Sequence, residues 1–441
     1  MKTITVSLFL LAALTSVEAG TPDVPPLPPP PPDNPLSFFD GRLVLSFEDQ
    51  LRFESRENNF DFNSGSDALT DDAWLLNRAR IGLQWKPLPG VSLFIQGQDS
   101  REYFSDRPDI PGVLGSEGDD PFDLHQAWIE YHDAKMSGWG LRVGRQKLSY
   151  GDQRLIGPLE WSNFARAFDG IKLFHDNGSG TWFDLFAASP VLVDMDGFNT
   201  ADFDTMLYGL YGHIPAGRTD LEPYLIYLDD DQTDQHFISA GMHFKSRAGT
   251  GTPWDWEGEA VYQSGDIGGA DLSAFAGFVR AGYTWADSAW KPRVGIEYSY
   301  ASGDDDPKDG DINTFQNLYP TNHPLYGFMD AFSWQNMHDV RLMLSANPLK
   351  KLRVSADFHL FWLATTNDAW RRANAKTMVR PITPGASSFA GSEVDLLANY
   401  TLNPHATFTA GYSHFFAGSY LDDTGAGDDA DFFYVISQIK F

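Results

Sequence analysis

Apolar and polar residues alternate with a period of two along most of this 441-residue chain. A period of two places successive side chains on opposite faces of a β-strand, whereas a helix face repeats every 3.6 residues. Segments that alternate in this way, or that have strong β-propensity, number about eighteen; they lie at residues 41–54, 73–86, 90–103, 122–133, 139–147, 168–176, 180–189, 205–214, 220–229, 235–246, 255–264, 272–286, 290–302, 338–347, 350–364, 391–401, 405–416 and 430–441. This pattern predicts an all-β fold with an even number of strands, within the range of bacterial transmembrane barrels.

The two faces of these segments differ in polarity. In the first segment five apolar residues share one parity: Leu43, Leu45, Phe47, Leu51 and Phe53. In a transmembrane β-barrel one face of each strand meets lipid and the other meets the lumen. The last segment alternates in the same way and ends at Phe441, which resembles the terminal signal of outer-membrane proteins. Parity assigns a further polar set to the lumen: Gln84, Gln126, Arg280, Arg293, Glu297, Asp339, Arg341, Asp357 and Asp395.

The start of the chain has the composition of an export signal. Lys2 precedes an apolar run at residues 4–14, and Ala19 fits a cleavage position, so residues 1–19 are predicted to be a signal peptide. No later stretch approaches the roughly 18 to 20 uninterrupted apolar residues that a membrane-spanning helix needs. An exported chain that enters a membrane would therefore cross it as strands of a closed barrel. We predict the bacterial outer membrane as its location.

The residues between the signal peptide and the first strand are rich in proline. Residues 20–40 include five consecutive prolines at 28–32, which favour an extended polyproline II conformation. We interpret this segment as a periplasmic tether, with a recognition site for a proline-binding partner as the alternative. The barrel itself is predicted to occupy residues 41–441. The chain has no cysteine, which excludes disulfides and thiolate metal sites.

The connections between the segments fall into two classes. Those after every second segment are short and rich in turn residues, for example at residues 86–90, 177–180 and 403–404. The intervening connections include every long one. A strict alternation of long and short connections predicts an antiparallel barrel with short periplasmic turns, long extracellular loops and both termini on the periplasmic side.

The predicted lumen is strongly charged, and unpaired charges are too costly to bury in a dry core. We therefore expect a water-filled pore. Arginines cluster on the lumen parity, and their planar guanidinium groups suit carboxylates. Lumen acids such as Glu48 and Glu130 could instead neutralise these arginines, and charge alone does not decide between the two readings. The formal net charge of −28 disfavours nucleic-acid binding, and acidic outer loops could bind Ca²⁺ as the only candidate ion.

Four stretches of the chain are more specific than a barrel pattern. Residues 139–173 read WGLRVGRQKLSYGDQRLIGPLEWSNFARAFDGIKL, and residues 319–332 read YPTNHPLYGFMDAF. Together with residues 78–101 and the end of the chain from Phe416, they resemble the alginate export family of outer-membrane barrels. The resemblance implies a channel of about eighteen strands with an electropositive constriction. It would conduct an anionic, alginate-like uronate polysaccharide without chemistry, together with periplasmic export partners.

The resemblance and the strand parity together nominate the candidate site residues. The predicted pore-lining set is Arg52, Arg78, Arg80, Arg101, Arg145, Arg154, Arg353, Gln96, Gln98 and Glu130. Arg145 shares the parity of apolar Leu141 and Val143, so a bulge or strand end would be needed to turn it inward. Asn322, His323 and Asp330 lie on a long outward loop. That loop could fold inward and narrow the mouth, or it could be held by its own Asn and Asp hydrogen bonds.

Other functions have weaker sequence support. Ser413 and His414 are the nearest candidates for a catalytic dyad, but adjacent strand residues point to opposite faces. There is no GxSxG or HExxH motif, so an enzyme and a zinc site are both disfavoured. The alternatives to polysaccharide export are an uptake porin for small anionic solutes or oligosaccharides, and a structural barrel with a plugged lumen.

Overall fold

The chain forms a closed antiparallel barrel. A computed structural model describes residues 36–59, 61–65, 71–106, 119–132, 138–247 and 251–441. The predicted signal peptide (1–19) and residues 20–35 of the proline-rich segment lie outside these residues, so the proposed division of the chain stays a prediction. The eighteen barrel strands are β1 (Leu43–Glu57), β2 (Asp72–Trp85), β3 (Val91–Tyr103), β4 (Asp120–His132), β5 (Trp139–Gln146), β6 (Phe168–Asp176), β7 (Trp182–Leu192), β8 (Thr205–Ala216), β9 (Thr219–Asp230), β10 (Gln235–Ser246), β11 (Trp254–Ile267), β12 (Ala270–Thr284), β13 (Arg293–Ala301), β14 (Met337–Leu349), β15 (Leu352–Leu363), β16 (Phe389–Asn403), β17 (Ala406–Ala417) and β18 (Ala430–Lys440).

The barrel closes where the two ends of the chain meet. Strand β18 pairs antiparallel with β1, so that Glu48 faces Lys440 in the register. Phe441 extends this pairing, since its backbone N–H donates to Phe47 and its carbonyl accepts from Phe47. Each remaining strand pairs with its neighbours in sequence, and closure leaves no strand edge unpaired. The predicted strand count and fold class are confirmed.

The alternation of faces follows the prediction. In β1 the outward Leu51 is 41% exposed, whereas its neighbour Arg52 is 0% exposed and points into the barrel. The same contrast separates outward Leu396 from inward Asp395 in β16. This pattern results from closure, because in a closed barrel the inward side chains point into a shared interior while the outward ones face the surroundings. No helix in the described part of the chain is long and apolar enough to cross a membrane.

The connections alternate less strictly than predicted. All long connections lie at one end of the barrel, as expected, and include residues 147–167, 193–204, 302–336 and 364–388. Two connections at that end are short, at residues 231–234 and 268–269. In the second, Gly268 and Gly269 both have positive φ angles, which suits a two-residue hairpin. The prediction of strict alternation is therefore wrong at β9–β10 and β11–β12.

Two long connections fold into the barrel. Loop A (residues 147–167, between β5 and β6) meets loop B (residues 302–336, between β13 and β14) through a parallel bridge of Ile156 with Tyr319. The N–H of Gly157 donates to the carbonyl of Tyr319 at 2.8 Å. Buried apolar residues from both loops, from the connection 364–388 and from the wall form a core inside the lumen, including Ile156, Phe278, Phe315, Tyr326, Trp334 and Trp370. These loops position the candidate site.

Candidate functional site

Wall arginines of β1 and β2 bind the backbone of loop A. Arg78 donates through Nη1 to the carbonyls of Glu160 at 2.9 Å and Ser162 at 3.0 Å. Arg52 donates to the carbonyl of Trp161, and its guanidinium lies 4.0 Å from the centre of the Trp161 ring. Arginine suits this role because its fork of donors can bind several carbonyls at once. These arginines therefore hold loop A against the barrel wall.

Four cations gather around two carboxylates where loop A meets β1 and β2. Glu160 accepts from Arg80 at 2.8 Å, lies 3.3 Å from Arg78 and contacts Lys147. Glu48 lies 3.4 Å from Arg78, 3.5 Å from Arg80 and 3.6 Å from Lys440. We call Arg78, Arg80, Lys147, Lys440, Glu48 and Glu160 the cation cluster. Its four cations and two carboxylates give a formal charge of +2.

Part of the cation cluster is open to water. The side chains of Glu160, Lys147 and Lys440 are 32%, 26% and 30% exposed, whereas those of Arg78 and Arg80 are 1% and 2% exposed. Among the described residues, Arg78 Nε and Arg80 Nη2 have no hydrogen-bond acceptor, so donors exceed acceptors. Burial alone would raise the pKa of Glu160, but Arg80, Lys147 and Arg78 hold that pKa well below its usual range. Glu160 is therefore ionised at neutral pH.

Arg154 of loop A connects both inward loops to the wall. Its guanidinium donates to Glu297 at 2.7 Å and to Asp152 at 3.0 Å. It also donates to the Tyr326 hydroxyl of loop B at 2.7 Å and lies 3.5 Å from the centre of the Phe278 ring. Arg154 points into the lumen as predicted, but it is 1% exposed and lines no water-filled path.

The three candidate gating residues lie inside the barrel. Asn322 donates to Asn317 at 2.6 Å and to the carbonyl of Ala373 at 2.7 Å. His323 Nδ1 lies 2.9 Å from an oxygen of Asp330, and its ring stacks on Trp161 at 3.6 Å between centroids. Loop B is thus folded inward and is also held by its own Asn and Asp contacts, so both predicted features occur together. A gating role stays a prediction.

The remaining inward candidates form separate pairs around the wall. Gln98 accepts from Arg80 at 2.7 Å and donates to the carbonyl of Phe164, so it supports loop A. Gln96 accepts from Gln126 at 3.0 Å. Glu130 pairs with Arg142, and Arg353 donates to Ser345 at 2.9 Å. The structure therefore brings Arg78, Arg80 and Gln98 together but leaves Glu130 and Arg353 elsewhere.

Two predicted pore residues point away from the lumen. Arg101 in β3 faces outward, on the parity of Ile95, and pairs with Asp99 at 2.8 Å. Arg145 keeps the outward parity of Val143, with no bulge to turn it, and makes two bonds to Asp169 at 2.8 and 2.9 Å beneath residues 193–204. The prediction that these arginines line the pore is wrong. Arg101 has the opposite parity to the inward residues Gln96 and Gln98 in the same strand, and this alone would have given the correct face.

Because Arg101 faces outward, the Arg101→Ala variant is expected to keep the ion selectivity of the parent protein. Its carboxylate partner is partly exposed to solvent, and such pairs contribute about 0–1 kcal/mol, so folding should also change little. Reversal potentials in a planar bilayer under a salt gradient would measure selectivity. A loss of anion preference in this variant would show that Arg101 reaches the conduction path.

The lumen is drier than its composition predicts. Arg52, Arg80, Arg154 and Arg341 are all at most 2% exposed, and each contacts a carboxylate. Opposite charges on adjacent strands and loops meet in the folded barrel, so that burial does not leave them uncompensated. Burial in pairs therefore compensates part of the lumen charge without water, and the exposed groups of the cation cluster, Lys147, Lys440 and Glu160, become the more informative ones. The water-filled pore stays a prediction.

Sequence analysis missed Glu160, Lys147 and Lys440 as site residues. Glu160 and Lys147 both lie in the stretch 139–173, but neither was separable from other polar loop residues by pattern alone. Lys440 was visible as a polar residue on the lumen parity of the last strand. Its proximity to Glu48 depends on closure of the barrel.

The other chemical candidates do not join this site. Ser413 points inward and donates to Asp395, whereas His414 points outward and pairs with Asp431 at 2.8 Å, so the two form no dyad. Asp229, Asp231 and His236 place potential metal-ligand atoms within 4.8 Å of one another at the β9–β10 connection. Calcium binding by acidic outer loops stays a prediction.

Comparisons with known proteins agree with the observed architecture. A family model described as alginate export matches residues 42–434. The crystal structure of OccAB3 from Acinetobacter baumannii is similar, with a TM-score of 0.63 and 12% identity over 90% of this chain and 99% of that chain. OccK11 (OpdR) from Pseudomonas aeruginosa has a TM-score of 0.59 and 14% identity over 90% of this chain and 96% of that chain. At these identities the likeness shows the fold alone. A search of curated proteins gave no match.

Proposed function

Because the chain belongs to the alginate export family and forms a porin-like barrel of the outer membrane, we propose that it passively translocates an anionic, uronate-containing polysaccharide. Family and fold are those of a channel. What we propose beyond the family and the fold is that the substrate is anionic, and the cation cluster is the observation that supports this.

A surplus of positive charge in the lumen would favour an anionic polymer. The whole chain carries a formal charge of −28, yet the cation cluster carries +2, and water reaches its Lys147, Lys440 and Glu160 side chains. Fixed charges that line a pore attract ions of the opposite sign and exclude those of the same sign. Arginine and lysine side chains match the carboxylates that recur along a polyuronate. Lys440 is the last residue of β18, which places this part of the cluster near the periplasmic end of the barrel.

We narrow the proposed arginine-lined pore to the cation cluster. Most other lumen arginines are occupied by carboxylates, as Arg142 is by Glu130 and Arg280 is by Glu257. Paired arginines contribute little net field beyond their partners. We therefore assign anion preference to the cation cluster rather than to the number of arginines in the lumen.

Planar-bilayer recording of the purified protein tests this function. We expect anion-selective conductance that oligomers of a hexuronic acid block, whereas neutral oligosaccharides of equal length block weakly. Block should weaken as salt rises, since salt screens the cluster. Cation selectivity, or equal block by neutral and acidic oligomers, would contradict the proposal, and a barrel without conductance would favour the structural alternative.

One observation favours a second candidate, an uptake porin for small anionic solutes. Loops A and B meet inside the barrel, and the His323 ring of loop B stacks on Trp161, the residue after Glu160, at 3.6 Å between centroids, which narrows the space beside the cluster. A narrow path suits a monouronate or diuronate better than a polymer. Proteoliposome flux separates the two candidates: entry of short uronates with exclusion of long chains would favour uptake of small solutes.

A further inference from the structure

We infer that Glu160 is an internal stand-in for a substrate carboxylate: it occupies Arg78, Arg80 and Lys147 in the empty channel and is displaced by each passing uronate group. This inference rests on the proposed function and adds the mode of binding at the same site. In this view loop A is part of the substrate-binding site, and its Glu160 competes with the substrate for the same cations.

The first support is that the carboxylate of Glu160 is not needed to hold its own backbone. The Glu160 carbonyl accepts from Arg78 Nη1, and the next carbonyls along the loop accept from Arg52 and Arg78. Further along, the carbonyls of Asn163 and Phe164 accept from Ser100 at 2.8 Å and Gln98 at 2.6 Å. The side chain can therefore leave the cations by rotation while loop A stays in place.

The second support is the accessibility and composition of the position that Glu160 occupies. Its side chain is 32% exposed, so solvent reaches the carboxylate while loop A is folded. Removal of the carboxylate would raise the formal charge of the cation cluster from +2 to +3, because Glu48 would be the one carboxylate left. A uronate carboxylate supplies the same charge and the same two acceptor oxygens. The exchange thus restores the charge and contacts that Glu160 provided.

The third support is the surplus of donors at the site. Arg80 Nη2 and Arg78 Nε lack acceptors among the described residues, while Glu160 already serves Arg80, Arg78 and Lys147 with two oxygens. A substrate that carries hydroxyl groups beside its carboxylate offers acceptors that a single glutamate does not. The site can therefore prefer substrate to Glu160 when substrate is present, and Glu160 can return when it leaves.

Measurement of uronate block in Glu160→Gln tests the exchange. Glutamine keeps the size of the side chain but removes the charge that competes for the cations, so the half-blocking concentration of a uronate oligomer should fall about tenfold if the open site is populated about one-tenth of the time in the parent. Asp255→Asn is the matched control. Asp255 is also a lumen carboxylate paired with an arginine, Arg293 at 2.6 Å, but it lies on β11 away from the cluster. In this control, block should change less than twofold.

A second variant separates occupation of the cations by Glu160 from a general change of charge in the lumen. Glu160→Asp keeps the charge but shortens the reach to Arg80, so block should tighten while the reversal potential stays near that of the parent. Unchanged block in both Glu160 variants would overturn the inference, as would equal tightening in Asp255→Asn. The proposed function would remain supported after that result if the parent protein were anion-selective and blocked by uronates. Absence of both properties in the parent would instead contradict the proposed function. Heat-modifiable migration on gels would verify that each variant is folded.

Discussion

Replacement of Arg80 by glutamate is expected to abolish the anion preference of the channel. Arg80 is the closest wall cation to Glu160, at 2.8 Å, and the substitution lowers the formal charge of the cation cluster from +2 to 0. Two unit charges about 6 Å apart in water interact by about 0.7 kcal/mol, so a change of two charges alters ion partitioning by about 1.4 kcal/mol, or roughly tenfold. The permeability ratio of chloride to potassium, from reversal potentials, would measure this loss.

Two further variants make the Arg80 result specific. Arg80→Gln removes one charge rather than two and should give about half the free-energy change. Arg101→Glu reverses a charge on the outward face, where the side chain pairs with Asp99, and should leave selectivity unchanged. If the outward reversal changed selectivity as much as the Arg80 reversal, the long-range charge of the protein would govern permeation and the cation cluster would not.

Replacement of Arg154 by methionine is expected to destabilise the protein by about 3–5 kcal/mol. Arg154 and its partner Glu297 are both 0% exposed in their side chains, and removal of Arg154 leaves two buried carboxylates, Glu297 and Asp152, to share Arg280 at 3.2 and 3.8 Å. Asp152 also loses its contact with Arg154, and Tyr326 loses its link from loop B to loop A. Denaturant unfolding in detergent or lipid vesicles, followed by tryptophan fluorescence, would measure the change.

The comparison for Arg154→Met is Arg101→Met, which removes an arginine from a partly exposed pair. That variant should lose about 0–1 kcal/mol, because solvent already screens the interaction. Arg154→Met should also show larger current fluctuations, since its contacts join both inward loops to β13. Equal stability of the two variants would contradict the role of Arg154 as a buried connection.

Strand positions and faces were predictable because they depend on local sequence. The lumen parity of Arg52, Arg78 and Arg80 follows from a two-residue repeat that each strand carries by itself. The error at Arg101 arose where a motif resemblance was given more weight than this repeat. The family resemblance supplied the substrate class to propose, which no periodicity contains.

The sequence by itself determined a barrel of eighteen strands, its lipid-facing surface and the inward direction of its wall charges, because alternation is a property of neighbouring residues. Only the tertiary structure decided which charges meet. Glu48 lies near Lys440 because the barrel closes between its first and last strands, and Glu160 reaches Arg80 because loop A folds into the lumen. Electrostatic pairing depends on distance in space. In the part of the chain that the structure describes, the residues that predicted an open, arginine-lined pore therefore form a largely paired interior with a positive, partly exposed cluster.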